Sequence, residues 1–588
     1  MRHLTGLLLI ALLAGGSLAA PLSIGPRYKD ESSGFQIQLP RKWEQVPTKF
    51  QEVSILGKWV GKAKRGYMHP AGYVIRILNA AEEEPETPGE AVQRGIPGYA
   101  GLLRDQPKTV WEFVEQFFYG GGFEVVEDDA EFKMSSKRYK AHYRLYKEKE
   151  GGPGGRDADK RQRLIAAAAI EPVEGGDSVY GVVYACTVAD EKDMLRAFET
   201  SIKRFKILEP DEDEEPDEDG GAPIGDEGIF VDSTKKPEIW REARKNKLIP
   251  GWEAIDTQNY LIVYNKEVKK RLITTVAKHI EAIRADVYER LFPPAHEIKA
   301  VSVVRVCKDR EEYHRYGGPG GSAGYWSRGD EELVFYQDKS NKKDSLRVLY
   351  HEAFHQYIHY AVGDVAPHSW FNEGHGDYFA GHNYRGGKFQ SDVFRWRTGI
   401  IANALGQKTY VPLDKFLKYS QGEYYANPGL CYAQGWSLVY FLREVEARKI
   451  KKYEKYWGLL DRYFEAIKRN VSSVKEQGLE GLNEEEPPPD PLPEGHEEAA
   501  PSTPPTPPGL PRLPGLEQPF PGEHPLAGAG TPSGEAGGES DTGGGRTVAG
   551  PVIRDARSAL DAAVDEVFLK NPRIDIKELE KDWVEWSK

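Results

Sequence analysis

The stretch Asp344–Gly363, "DSLRVLYHEAFHQYIHYAVG", decides how the second half of this chain is read. Leu346, Leu349, Ala353 and Ile358 recur at helical spacing, Asp344 or Ser345 can cap the start, and Gly363 can end it. In a helix, residues i and i+4 lie on one face, one turn apart. His351 and His355 can therefore point at one ion, with Glu352 turned beside them. H-E-x-x-H suits zinc chemistry because two imidazoles hold the metal and the carboxylate takes a proton from a metal-bound water. Three fixed letters prove little without context, and a helix with polar residues facing solvent is the plain alternative.

His359 lies on the same face but two turns from His351, about 12 Å along the axis. Zinc–nitrogen bonds are about 2.0–2.1 Å, so a straight helix cannot bring all three histidines to one ion. His359 is read as a packing residue or as one behind the ligands. The third ligand is sought in "PHSWFNEGHGDYFAGH", Pro367–His382. Glu373 and Asp377 stand four apart there, on one helical face. A helix antiparallel to the first brings Glu373 to the ion and lets Asp377 accept a hydrogen bond from the outer nitrogen of a ligating histidine. His368, His375 and His382 compete for the role and are read instead as surface or cleft-lining residues.

The chain has 588 residues, a formal net charge of -13 and 39% hydrophobic residues. No basic cluster stands out, which argues against a nucleic-acid partner. Cys186, Cys307 and Cys431 fit no thiolate metal site, and any one bridge leaves an odd thiol. Residues 1–20 read as a signal peptide: Arg2, then the short apolar run "LTGLLLIALLAGG", then "SLAA". The expected location is therefore secreted or periplasmic, with no stable membrane span.

The expected fold class is α+β in two domains. Residues 21–207 alternate in strand period at Phe35, Ile37 and Leu39. Further strand-like runs are "GYVIRIL", "KAHYRLYK", "RLIAAAAI" and "VYGVVYACTV", and "DEKDMLRAFETSIKRF" is a closing helix. Residues 208–229 form an acidic linker. Residues 230–477 carry the strands "NYLIVYN", "KAVSVVRVC" and "ELVFYQ" around one long helix, then only helices: a small sheet and a helical half. Residues 478–551, rich in Pro and Gly, read as a disordered insertion. Residues 552–588 are apolar-periodic again and read as helices returning to the second domain.

The opening strand-Pro-Trp and the closing "AFETSIKRFKI" of the first domain resemble PsbP/Mog1-like α+β sandwich domains, which implies a binding or scaffolding role with a protein partner. H-E-x-x-H followed by "WFNEG" and Asp377 resembles the gluzincin metallopeptidases of the peptidase MA clan. That resemblance implies Glu373 as third zinc ligand and Asp377 as the residue that orients a zinc-bound histidine. "CYAQGWSLVYFL" is similar to the Tyr-x-x-Gly helix of M1-type peptidases, implying that Tyr432 steadies an oxyanion; core packing is the other reading of Tyr432. The M1 exopeptidase signature Gly-Ala-Met-Glu-Asn is absent, so an aminopeptidase is not expected. The combination with the terminal "LEKDWVEW" most resembles the bacterial DUF1570 domain, a zincin-like family.

The expected function is thus a secreted zinc-dependent metallopeptidase. Zn2+ would be held by His351, His355 and Glu373, with Glu352 as general base and a peptide or protein substrate pairing with the strand near Val334–Tyr336. The alternative is a non-catalytic envelope protein that uses the same fold to bind or scaffold.

Overall fold

The computed structural model describes residues 23–78, 107–208, 241–481 and 556–588, with breaks within the first three spans. The expected leader, almost all of the acidic linker, the domain start near Phe230, the helix end at Gly363 and nearly all of the insertion lie outside the described residues. The chain divides into two units, Met1–Pro250 and Gly251–Lys588. No helix among the described residues is long and apolar enough to cross a membrane.

The first unit is rich in sheet. β1 (Ile24–Asp30), β2 (Phe35–Pro40) and the short β10 (Lys206–Ile207) form one sheet, in the order β1-β2-β10. Seven further strands make an antiparallel sheet: β3 (Glu44–Val46), β4 (Ile55–Val60), β5 (Ala71–Leu78), β6 (Phe123–Phe132), β7 (Tyr139–Glu148), β8 (Leu164–Pro172) and β9 (Ser178–Cys186). Their order is β3-β4-β5-β9-β8-β7-β6. Alternation drives this arrangement, since Phe35, Ile37 and Leu39 are buried while Gln36 and Gln38 are only half covered. α1 (Val110–Phe118) packs on β8 and β9, and α2 (Glu191–Lys203) lays Met194, Ala197, Phe198 and Ile202 onto β2, β8 and β9. β1, β4, β6 and α1 were not legible in the pattern of the sequence.

The second unit is a five-stranded mixed sheet backed by helices, so the chain as a whole is α+β. β11 (Trp252–Asp256), β12 (Tyr260–Asn265), β13 (Ser302–Cys307), β14 (Gly324–Ser327) and β15 (Glu332–Tyr336) lie in the order β11-β12-β13-β15-β14. β12, β13 and β15 run parallel, while β11 and β14 are antiparallel edges. This corrects one expectation. The strand Val334–Tyr336 is internal, paired on both sides, and the edge is β14, which follows a Gly-rich run.

α3 (Lys270–Ile283), continued by a wide turn to Leu291, covers one face of the sheet together with α5 (Lys342–Val362); α4 (Arg310–Tyr316) packs against β13 and β15. α5 begins two residues before the expected cap. Asn341 Oδ1 accepts from the Lys343 N–H at 3.1 Å, while the Ser345 hydroxyl is taken by the Asp338 N–H at 2.8 Å. After α6 (Ser369–Ala380) comes a hairpin where only helices were expected, β16 (Asn383–Arg385) and β17 (Lys388–Gln390). Gly386 and Gly387 turn it at φ 57° and 80°, backbone that a two-residue hairpin demands and glycine adopts without strain.

α7 (Arg395–Gln407), α8 (Leu413–Phe416), α9 (Gln421–Ala426), α10 (Pro428–Ala447) and α11 (Leu459–Gly481) complete the helical half. The tail supplies α12 (Ala556–Val564), which packs on α11, and α13 (Ile576–Trp586), which packs on α8 and α10. Leu560, Val564, Val567, Phe568, Leu579 and Trp583 are all buried in the core of this unit.

The central contact of the helical half is α6 against both α5 and α10. Gly374 permits it: a Cβ there would stand 2.7 Å from the Gly435 carbonyl oxygen of α10. Gly374→Ala is therefore expected to cost about 1–3 kcal/mol by overpacking. Gly399→Ala, at an exposed α7 position with nothing within 4 Å, should leave stability unchanged or raise it by up to about 1 kcal/mol. Denaturant melts of the two variants check this, and equal stabilities would contradict the close approach.

Candidate metal centre

α5 is buried on nearly every side through its middle, so the reading of its polar residues as solvent-facing fails. His351 and Glu352 are each only 6% exposed. α6 crosses it and presents Glu373. The Glu373 Oε2 atom lies 3.1 Å from His351 Nε2 and 3.3 Å from His355 Nε2. Ligand atoms of His351, His355 and Glu373 all fall within 4.8 Å of one another. His359 is outside this group and packs on Trp326 of β14, ring centroids 5.6 Å apart.

The outer nitrogens of both imidazoles face oxygens. His355 Nδ1 is 3.1 Å from Asn372 Oδ1. His351 Nδ1 is 3.3 Å from Asp377 Oδ1; the two are not well aligned and have no other partner among the described residues. A neutral imidazole carries one N–H. If each proton sits on Nδ1, toward its acceptor, both Nε2 lone pairs point at a carboxylate oxygen. Three lone pairs converging in a buried space repel one another unless a cation lies between them. A proton on His351 is the simplest such cation when no metal is bound. Burial disfavours the imidazolium of His351, yet Asp377 and Glu373 hold its pKa well above the ordinary value. Burial would raise the Glu373 carboxyl, yet the two imidazoles hold it well below the usual range. This donor set fits zinc, which takes imidazole nitrogen and carboxylate oxygen in three-residue sites.

Around the three donors stand further groups, of which Tyr425 and Arg397 were not announced by the sequence. The Tyr425 hydroxyl donates to Glu373 Oε1 at 2.7 Å. Arg397, buried, donates to Asp377 Oδ2 at 2.6 Å, and its guanidinium lies 4.8 Å from the Tyr432 ring. Tyr432 stacks on His351, with centroids 6.4 Å apart and planes 20° apart, and its ring lies beside that of Tyr425. Glu352 lies near the Trp326 backbone amide of edge strand β14. Burial pushes its carboxyl pKa up, against the pull of His351 and His355. Asn372 adjoins Glu373 in the sequence and was within reach of pattern reasoning. Arg397 and Tyr425 belong to no motif and become visible only when α7 and α9 are placed.

The three competing histidines are neither on the surface nor in a cleft. His368 is buried between the Tyr463 hydroxyl and Asp561. His375 takes a 3.3 Å bond from Arg443 Nε, and His382 bonds the Tyr378 carbonyl. Burial lowers the pKa of all three, that of His382 to about 4.

No protein-family model matches this chain. No curated protein matches it either. Among solved structures, the chain is similar to the cyanobacterial PsbP of Synechocystis sp. PCC 6803, at 14% identity and a TM-score of 0.21, covering 33% of this chain and 99% of that one. It is similar to LpqN, involved in cell envelope biogenesis of Mycobacterium tuberculosis, at 12% identity and a TM-score of 0.18, covering 30% and 83%. It is similar also to the Ran-binding protein Mog1p of Saccharomyces cerevisiae, at 10% identity and a TM-score of 0.19, covering 32% and 97%. These likenesses lie in the N-terminal part.

Two predictions arise. Asp377 and Arg397 are a buried pair, so Arg397→Gln leaves a buried carboxylate without its countercharge and should cost about 3–5 kcal/mol; a denaturant melt indistinguishable from wild type would contradict this. The three buried histidines bind protons more weakly when folded than when unfolded. Their contribution is complete above the unfolded value of 6.5 and is lost as pH falls through the folded values. A His368→Gln variant should lose less Tm than wild type between pH 7.5 and pH 4.5; equal losses in the two proteins would refute the assignment of His368.

Proposed function

We propose that the second unit is a zinc-dependent metallopeptidase of gluzincin type, similar to the DUF1570 domains, in a protein exported by its first twenty residues. The observation that carries this reading is the buried convergence of His351 Nε2, His355 Nε2 and Glu373 Oε2 next to a carboxylate, Glu352, that no ligand role requires.

Zinc held by these three residues would polarise a peptide carbonyl and acidify a water. The chain's own groups then divide the work. Glu352 takes the water proton and returns it to the leaving amine. Asn372 and Asp377 hold the outer nitrogens of the two imidazoles, and Arg397 bonds the other oxygen of Asp377. Tyr432 donates toward the oxygen that gains charge. An extended peptide lies along β14, the edge strand whose Trp326 amide lies near Glu352, by strand addition. The first unit is proposed to bind or scaffold a protein partner.

Zinc content and hydrolysis of a general protein substrate test the proposal. Wild type and Glu352→Gln should each hold one zinc per chain, with turnover reduced about 10²–10⁴-fold in the variant. Glu373→Ala should lose the metal. Equal activity in wild type and Glu352→Gln would sink the mechanism. Zinc in both with activity in neither would favour an envelope scaffold over an enzyme.

A further inference from the structure

We infer that Tyr425 is a positioning residue of the metal centre: its phenol restrains Glu373 to binding a metal through one oxygen, Oε2. The inference rests on the reading of His351, His355 and Glu373 as a metal site and assigns a function to a side chain outside every motif.

The two oxygens of Glu373 have different surroundings. Oε2 faces both inner imidazole nitrogens, at 3.1 and 3.3 Å. Oε1 is turned away and accepts the Tyr425 O–H at 2.7 Å. A carboxylate with one oxygen so engaged cannot rotate freely to offer both to a metal, and the bond draws electron density from the ligating oxygen. Both effects leave a more acidic metal with an open position, the condition a catalytic rather than a closed structural site requires.

The phenol is well placed for this task. α9 is only six residues long, yet its start is fixed by a capping box: Ser420 Oγ accepts from the Glu423 N–H, and the Glu423 carboxylate accepts from the Ser420 N–H at 2.7 Å. Tyr424, fully buried, anchors the same turn against α10 near Gly435. The Tyr432 ring lies beside it, with centroids 6.1 Å apart. Tyr425 is thus held at its oxygen by Glu373 and at its backbone by a capped, anchored turn.

The test compares Tyr425→Phe with Tyr424→Phe, which removes a neighbouring buried hydroxyl that has no hydrogen-bond partner among the described residues. Zinc affinity is measured on the full chain by competition with a chelator, and the visible d–d absorption is recorded after cobalt(II) substitution. Tyr425→Phe should bind zinc 10–100-fold more weakly and shift the cobalt spectrum, as one-oxygen and two-oxygen carboxylate binding interconvert. Tyr424→Phe should match wild type in both. A Tyr425→Phe protein with wild-type affinity and spectrum overturns the inference, even if its metal-free form melts earlier, since that result assigns the phenol to stability alone. Wild-type protein that takes up neither metal overturns the metal-centre reading itself, an outcome distinct from a tight-binding variant.

Discussion

Glu373 reaches two imidazoles on a neighbouring helix because glycines follow it at positions 374 and 376. Gly374 lies against the carbonyl of Gly435, and a Cβ at Gly376 would stand 2.7 Å from the His351 ring. With ordinary side chains at these positions, α6 would ride further from α5 and α10, and its carboxylate would fall short. Everything else at the centre depends on this spacing. The pair His351–Asp377 needs the same short separation one turn further along α6, and the stacking of Tyr432 on His351 needs α10 pressed against α6 from the other side. The two glycines cost helix propensity, and the core of aromatic and aliphatic residues packed around α5, α6 and α10 offsets that loss.

A site made this way must bury charge, and the second unit does so repeatedly. Arg397 meets Asp377 and Arg305 meets Glu332 within the sheet, each pair fully buried, while the buried Arg443 reaches half-exposed Asp461. Buried ion pairs are poor sources of net stability, because desolvation consumes most of the attraction. Their value here is geometric. Arg397 holds the carboxylate behind His351 in one place, and Arg305 ties β13 to β15, the strand on which edge β14 rests. Glu352 lies beside the Trp326 amide of β14, so the sheet and the helix meet at that carboxylate.

How much of this was legible from residues alone follows from the range of each interaction. His351, Glu352 and His355 are set by helix periodicity, a local property, and the sequence displays it. Glu373 and Asp377 repeat the same spacing on the next helix, so they too were readable once two helices were assumed to pair. Tyr425 and Arg397 act through tertiary contact alone: nothing about an isolated "EYYAN" or "FRWRT" tells which side chain will reach a carboxylate many residues away. Burial was misjudged for His368, His375 and His382 because a polar side chain on a short helix looks solvated until helices close over both faces. β14 was missed for a related reason. Four residues among glycines carry no period, and only pairing with β15 makes them a strand.

The tail shows the same dependence at the largest range. His368, the residue before α6, is bonded through its Nε2 to Asp561 of α12 at 2.9 Å. Trp583 of α13 donates to Ser437 of α10 at 3.0 Å, two residues past the glycine on which α6 rests. The helices that carry Glu373 and Tyr432 are therefore each braced by a segment far along the chain. Loop-closure entropy grows only with the logarithm of loop length, so the long intervening stretch adds little to the cost of forming these contacts. Such closure is what a fold without disulfide bridges requires: Cys186, Cys307 and Cys431 are all buried and unpaired, and non-covalent contacts must hold the two helices at the separation that Gly374 and Gly376 define.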